Sequence, residues 1–166
     1  MRSISLLETR DSQPVCRALD AWISTRPELR TIAVFSALPG EPDLTELAAL
    51  PRPGVRWVYP RVDGEHLSFH IVENPAQDLI PGAFGILEPA TGLPEVQPSE
   101  IDAFLCPGLA FDPHGGRLGR GRGFYDRLLS KARPDALKIG VCFPHQLVPD
   151  THSEPHDIAM DLVISG

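Results

Sequence analysis

The sequence predicts an α/β protein with three layers, an α/β/α domain in which helices cover both faces of a mostly parallel sheet. Strand-like segments alternate along the chain with segments of helical periodicity, which is typical of βαβ units. The best strand segments, such as 31–35 (TIAVF), are continuously apolar, as expected of strands buried on both faces. The length of 166 residues fits one domain, and no internal repeat or boundary divides residues 1–166.

The first predicted helix begins near Ser12 and ends before Pro27. Asp11 or Ser12 can cap it, and Pro14 is tolerated in its first turn. Its apolar residues follow the i, i+3, i+4, i+7, i+8 spacing of a buried stripe: Val15, Ala18, Leu19, Trp22 and Ile23.

Two further helices are predicted. Asp43 can cap a short helix whose apolar side chains face inward, namely Leu44, Leu47, Ala48 and Leu50. The other helix covers 124–133 and is stopped by Pro134.

The predicted strands are 31–35, 55–59, a half-buried strand at 67–71, and then 101–106, 137–143 and 162–165. Between the third and fourth strands, segment 73–98 contains five prolines and three glycines, which predicts a long ordered loop. We expect Phe84, Ile86 and Leu87 to be buried and so to hold this loop in place.

The charge balance excludes several function classes. The net charge is −7 and the isoelectric point is about 5.3, so the chain lacks the positive surface that nucleic acid or an anionic membrane requires. No apolar run reaches the length of a membrane span of about 18 residues, and no signal peptide is evident. Cys16, Cys106 and Cys142 are expected to be reduced thiols, which fits a cytoplasmic protein, and Cys106 and Cys142 on predicted strands are expected to be buried in the core. We also expect a monomer.

A glycine- and arginine-rich segment joins a predicted strand to a predicted helix. Between residues 115 and 123 lie five glycines and three arginines. Glycine lets the backbone approach a ligand closely, a helix start favours anions, and arginine offers paired donors suited to phosphate. These features predict a polyphosphate site at the carboxyl end of a parallel strand.

Other phosphate motifs do not fit this segment. A Walker loop needs G-x-x-x-x-G-K-[ST], which is absent, and a G-x-G-x-x-G fingerprint starting at Gly119 fails because its third glycine would fall on Phe124. An RGG-like RNA segment fits the composition, but the acidic chain and the immediate helix argue against it. A glycine-rich turn with solvated arginines remains the plain alternative.

The string P-G-L-A-F-D…G-x-R-L-G-x-G-x-G-[FY]-Y-D-R-x-L at 107–129 resembles the signature of 5-formyltetrahydrofolate cyclo-ligases. Supporting pieces occur in the family's order: SALPGEPD at 36–43, YPR at 59–61, FGILEP at 84–89, and His156-Asp157 near the end. The similarity extends from about residue 12 to the end. It implies an enzyme that converts 5-formyltetrahydrofolate to 5,10-methenyltetrahydrofolate with ATP and Mg²⁺, through an imino-phosphate.

The resemblance also implies roles for individual residues. It implies that ATP is bound by Arg117, Leu118, Gly119, Arg120, Gly121, Arg122, Gly123, Phe124 and Tyr125, of which Arg120, Arg122 and Tyr125 are catalytic. It implies that the folate is bound by Ser36, Glu41, Arg120, Gly121, Arg122, Gly123 and Phe124. Asp126 and Asp157 would hold Mg²⁺, which keeps waters and phosphate oxygens among its ligands.

The sequence departs from the family pattern in three places. Arg122 stands where members usually have Lys, and Phe124 stands where they usually have Tyr. Members usually begin with an additional helix whose Lys and Arg reach the phosphates, whereas only Arg2 and Arg10 precede the first predicted helix. We therefore expect weak ATP binding, slow turnover and poorly anchored first residues, and a non-catalytic folate- or nucleotide-binding relative remains the alternative. An unrelated nucleotide-binding module is a further, less favoured alternative.

Several of these residues also have a plain structural interpretation. Asp126 could be an acid in the first helical turn, and Glu41 could be a solvated loop acid. His152 and His156 have a metal-like spacing, but Pro155 disfavours the helix that such a pair needs.

Overall fold

A mostly parallel sheet runs through the centre of the protein, as the sequence predicts. The computed structural model describes residues 11–166; Arg2 and Arg10 lie outside the described residues. The strands are β1 (Thr31–Ala33), β2 (Arg56–Asp63), β3 (His66–Ile71), β4 (Leu79–Pro81), β5 (Leu87–Pro89), β6 (Glu95–Val96), β7 (Ala103–Cys106), β8 (Ala110–Phe111), β9 (Arg117–Leu118), β10 (Leu137–Cys142) and β11 (Leu162–Ser165). Within the described residues the main sheet has the order β11-β10-β7-β1-β2-β3-β6.

The parallel part of the sheet comprises β11, β10, β7, β1 and β2. The strands β3 and β6 extend it as antiparallel neighbours at one edge. The carboxyl ends of the parallel strands therefore lie along one side of the sheet, where open α/β sheets bind ligands.

Helices cover both faces of this sheet and complete the three layers. They are α1 (Gln13–Ser24), α2 (Thr45–Ala49), α3 (Pro75–Asp78) and α4 (Phe124–Leu129). Successive strand residues point to opposite faces, so Ile32 packs with α1 and α2 while the adjacent Ala33 packs with α4. All three cysteines are free thiols, and Cys106 and Cys142 are buried as predicted; Cys16 is buried as well.

The first two helices form where the sequence places them. The buried stripe of α1 consists of Val15, Cys16, Leu19 and Ile23. Ser12 occupies the N-cap position, but its hydroxyl accepts a hydrogen bond from the backbone of Asp43 at 2.8 Å and so joins α1 to the start of α2. The prediction that Asp43 caps α2 is wrong, because Leu44 occupies the N-cap position; the Asp43 carboxylate accepts the Thr45 N–H at 3.0 Å from one residue earlier in the chain. The prediction that Leu50 faces inward is wrong, because it follows α2 and is 45% exposed.

The helix α4 is shorter than the predicted 124–133. After Leu129 the backbone bonds tighten to three-residue turns, from Lys131 N–H to Leu128 and from Ala132 N–H to Leu129. The Ser130 hydroxyl donates to the Arg127 carbonyl at 2.6 Å and competes for the helical ladder. The helix therefore ends before Pro134 is reached.

Segment 73–98 is more regular than a loop, and two of its apolar residues are not buried. It contains α3 and a two-stranded antiparallel ribbon of β4 and β5. The prediction that Phe84 and Leu87 are buried is wrong, because they are 49% and 47% exposed. The ribbon lies outside the main sheet, so it has few core positions to fill.

A hairpin of β8 and β9 interrupts the glycine-rich segment before α4 begins at Phe124. It is seated on the sheet by Phe111, which is fully buried. A Cβ on Gly140 of β10 would lie 2.5 Å from the Phe111 ring, so the bare glycine provides the socket for that ring. The segment from Gly115 to Gly123 therefore joins a strand to a helix as predicted, with a hairpin that the sequence did not reveal.

Candidate active site

A cavity of about 620 Å³ opens at the carboxyl ends of the parallel strands. Phe35 and Ser36 reach it after β1, and Pro107 and Gly108 reach it after β7. Pro60, in the second half of β2, forms a further part of the wall.

The glycine- and arginine-rich segment forms one side of this cavity. Every residue from Arg117 to Asp126 lines it, and so do Ser36, Glu41 and Asp157. The structure thus brings together all the residues to which the sequence assigned a site. It also adds residues that the sequence did not assign, among them Phe84, Ile86 and His156.

Glu41 and Arg120 form an ion pair across the cavity. The Arg120 Nε lies 3.3 Å from Glu41 Oε2, and the other Glu41 oxygen accepts the Leu38 N–H at 2.9 Å. The Glu41 side chain is only 4% exposed, whereas that of Arg120 is 39% exposed. Burial raises the pKa of Glu41, and the Leu38 N–H and Arg120 only partly offset this effect. The plain interpretation of Glu41 as a solvated loop acid is therefore wrong.

Arg117 is held inside the cavity wall by three contacts. Its guanidinium donates to the Pro107 carbonyl at 3.0 Å and lies 3.8 Å from the Asp126 carboxylate. It also lies over the Tyr125 ring, 5.5 Å from its centroid. With 7% of its side chain exposed, Arg117 is a fixed cation rather than a solvated one.

Aromatic rings and arginines alternate along another part of the wall. Arg122 lies over the Phe84 ring at 4.3 Å, and that ring lies 6.4 Å from the Phe124 ring. Arg127, behind this wall, lies over the Phe124 ring at 5.5 Å and donates to the Glu65 carbonyl at 2.9 Å. Such contacts contribute about 0.5–1 kcal/mol each where exposed. The contact with the Phe84 ring favours one direction for the exposed Arg122 side chain.

Phe84 adopts a backbone conformation that L-residues usually avoid, with φ of 58°. Two side chains, Glu88 and Arg61, hold the turn that carries it by hydrogen bonds. Glu88 accepts the N–H groups of Val62, at 2.7 Å, and Ala83, at 3.3 Å. Arg61 donates to the Pro89 carbonyl at 2.8 Å. Residues of the motif pieces YPR and FGILEP thus hold this turn in place. The occurrence of both pieces in one sequence is the signal from which these contacts could have been predicted.

Three polar atoms on the cavity wall are buried and have no hydrogen-bond partner among the described residues. They are the Ser36 hydroxyl, the Arg117 Nε and the Tyr125 hydroxyl. Burial also raises the pKa of Tyr125 well above its usual range. A buried polar group without a partner is costly, so these atoms are suited to meet a polar ligand.

Asp126 and Asp157 are partly exposed carboxylates on the same cavity. His156 Nε2 lies 3.5 Å from Asp157, and Asp157 accepts the Glu154 N–H at 2.8 Å. In the part of the chain that the structure describes, no group of three or more His, Cys, Asp or Glu could hold a metal. Two carboxylates beside a phosphate-suited loop nevertheless fit Mg²⁺, which fills its other positions with water and phosphate oxygens.

Fold and site together define an α/β enzyme whose cavity combines a buried acid, fixed arginines and two carboxylates at the strand ends. The chain belongs to the 5-formyltetrahydrofolate cyclo-ligase family, whose model matches residues 4–166. It is therefore an enzyme of the ligase type.

Individual relatives agree with this placement. A 5-formyltetrahydrofolate cyclo-ligase of Mycolicibacterium smegmatis is 34% identical over 97% of this chain and 90% of its own. The NMR structure of Aquifex aeolicus 5,10-methenyltetrahydrofolate synthetase superposes with a TM-score of 0.79 at 28% identity, over 99% of this chain and 86% of that one. The synthetase of Mycoplasma pneumoniae gives 0.72 at 26% identity, over 99% and 87%. Among residues 11–166, no helix has the length and apolar character needed to cross a membrane.

Proposed function

We propose that this enzyme cyclises 5-formyltetrahydrofolate to 5,10-methenyltetrahydrofolate at the expense of ATP. The observation that carries the proposal is the placement of Glu41 and the segment from Arg117 to Asp126 on one cavity. One side of that cavity offers arginines and glycines to a triphosphate, and the other offers a buried carboxylate to a ring with N–H donors. We propose that the enzyme acts in the cytoplasm as a monomer.

In this proposal the triphosphate lies along the segment from Arg117 to Tyr125. Arg120 and Arg122 donate charge-assisted hydrogen bonds to the phosphate oxygens, and Arg117 supplies a fixed positive charge behind them. Gly121 and Gly123 have φ values of 91° and 70°, which only glycine adopts without strain, so the backbone can turn around a ligand here.

The folate lies on the other side of the cavity. Glu41 accepts hydrogen bonds from the pterin N–H groups, and the buried Ser36 hydroxyl gains the partner that it otherwise lacks. Phe124 lies between the two substrates.

The chemistry follows from bringing the formyl oxygen to the γ-phosphate. The formyl oxygen of the substrate attacks that phosphorus, ADP leaves, and an imino-phosphate forms. The lone pair of N10 then attacks the activated carbon, the C–O bond breaks, inorganic phosphate leaves, and N10 loses its proton. Phosphoryl transfer of this kind depends on positioning and charge neutralisation more than on a covalent nucleophile, so Arg120 and Arg122 are the proposed catalytic groups.

Tyr125 is the third proposed catalytic residue. Its hydroxyl is protonated at neutral pH like that of any tyrosine, and burial raises its pKa further, so it can donate a hydrogen bond to an oxygen of the transferring phosphate. Asp126 and Asp157 would hold Mg²⁺, whose chemistry here is to neutralise phosphate charge.

The test is formation of methenyltetrahydrofolate, followed by its absorbance with ATP and 5-formyltetrahydrofolate supplied together. We expect saturable product formation that requires both substrates and stops when ATP is left out. If calorimetry detects binding of either substrate but no product forms, the chain is a binding relative and not a ligase.

A further inference from the structure

A buried carboxylate outside the cavity joins the arginine segment to the loop that carries Asp157. Asp112 follows β8 and is 4% exposed. One of its oxygens accepts the N–H groups of His114, at 2.8 Å, and Gly116, at 3.0 Å. The other accepts the Thr151 N–H at 2.9 Å and the Thr151 hydroxyl at 2.6 Å. All four hydrogen bonds are charge-assisted.

A second contact joins the same two segments nine residues further along the chain. The Met160 N–H donates to the Gly115 carbonyl at 2.7 Å. A Cβ on Gly115 would lie 2.5 Å from the Met160 carbonyl oxygen, and one on Gly116 would lie 2.2 Å from both Asp112 and Thr151. The turn at 112–116 is therefore packed directly against the chain at 151 and at 160, with no room for larger residues.

These two contacts close a loop whose middle reaches the cavity. His156 and Asp157 lie between Thr151 and Met160, and both line the cavity. On the other side of the turn, β9 begins at Arg117 and leads to Asp126. The position of Asp157 relative to Asp126 therefore depends on the turn that Asp112 organises.

We propose that Asp112 and Thr151 are positioning residues that set the distance between the two proposed Mg²⁺ carboxylates, Asp157 and Asp126. This inference rests on the proposed function, since it assigns a purpose to the metal site of that same cavity. Neither Asp112 nor Thr151 touches the substrates; both act through the loop at 152–159.

Thr151→Val tests this inference, because it removes the hydroxyl and keeps the shape. Thr151→Ser keeps the hydroxyl and should behave as the native protein. Asp112→Asn places an amide donor against N–H donors and should have the larger effect. Because that change could also prevent folding, the milder Thr151→Val is the main test. Asp102→Asn is the matched control: Asp102 accepts two backbone N–H groups and Arg133, each at 2.9 Å, at the amino end of β7, away from the cavity.

The first readout needs no ligand. Hydrogen exchange of the amides in 152–159 should be roughly fivefold faster or more in Thr151→Val, because the hydrogen bond of the Thr151 hydroxyl to Asp112 and its contact with the Ser153 hydroxyl are both lost. The second readout is the Mg²⁺ concentration at half-maximal turnover, which should rise about tenfold or more, as for partners that orient metal ligands. The KM for folate should stay unchanged. The control Asp102→Asn should lower the melting temperature and leave both readouts at native values.

The possible failures can be told apart. Native turnover that does not depend on Mg²⁺ would remove the metal assignment and this inference with it. A Mg²⁺-dependent native enzyme with unchanged exchange and Mg²⁺ requirement in Thr151→Val would overturn only the positioning role. A control variant that raises the Mg²⁺ requirement as much as Thr151→Val would overturn it too, since the effect would then be one of general stability.

Discussion

Glu41→Gln should weaken folate binding. In the protein without substrate, it should also remove the free-energy cost of burying a charged carboxylate. The carboxylate is almost fully buried, and its desolvation exceeds the help of Arg120 and Leu38, so its pKa is raised. A raised folded pKa means that the contribution of Glu41 to stability is full below the ordinary pKa of about 4.3 and is lost as pH rises through the folded value. Glutamine does not titrate, so the variant avoids that loss.

The expected sizes follow from these contacts. The melting temperature of Glu41→Gln minus that of the native protein should be larger at about pH 8 than at about pH 4. A hydrogen bond to a charged group contributes about 1.5–3 kcal/mol, so the KM for 5-formyltetrahydrofolate should rise about 10- to 150-fold. The KM for ATP should stay within about twofold, because Arg120 keeps its positive charge and can still meet the phosphates.

Thermal melts at the two pH values and separate titrations of each substrate measure these effects. Glu46→Gln, which changes an exposed glutamate on α2, is the control and should leave every quantity unchanged. A melting difference that is the same at both pH values would show that the carboxylate is not desolvated. Equal losses for folate and ATP would show that Glu41 supports the whole cavity instead of binding the pterin.

Three further predictions concern the phosphate side and the hairpin. Arg120→Ala and Arg122→Ala should each raise the KM for ATP about 10- to 150-fold, since each removes a charge-assisted hydrogen bond; an unchanged ATP dependence in the double variant would refute the assignment. Asp126→Asn should mainly raise the Mg²⁺ requirement, measured by titrating Mg²⁺ at saturating ATP, and a changed folate KM alone would contradict this. Gly140→Ala should lower the free energy of unfolding by about 1–3 kcal/mol because the new Cβ crowds the Phe111 ring, which corresponds to a drop of roughly 2–12 °C in melting temperature. An unchanged melting temperature would show that Phe111 can accommodate the methyl group.

The sequence predicted the layers of this fold well because the strand and helix periods are clear. The stripe of α1 and the apolar run at 31–35 left little choice of structure. The hairpin of β8 and β9 was not predicted, because each strand has only two residues and carries no period. The length of α4 was overestimated for a related reason, since the Ser130 hydroxyl ends the helix where the apolar pattern still continues.

The site residues could be predicted because a specific motif names them together. The burial and the contacts of these residues could not be predicted. Burial of Glu41 depends on contacts with Arg120, 79 residues away, and nothing local in the sequence indicates it. The exposure of Phe84 was missed because an apolar residue in an ordered loop is usually buried, whereas this one lies at the cavity beside Arg122 and Phe124.

The packing of the Phe111 ring against Gly140 also affects the register of the hairpin strands. In the hairpin Phe111 pairs with Arg117, and the next residue, Leu118, is on the opposite face and is half exposed. A slip of one residue would exchange the two faces, turning Leu118 inward and Arg117 out to solvent. Because the Phe111 ring fits at a single point on β10, it opposes such a slip. Phe111, whose side chain has no polar atom, thus helps to keep the Arg117 cation in the cavity wall.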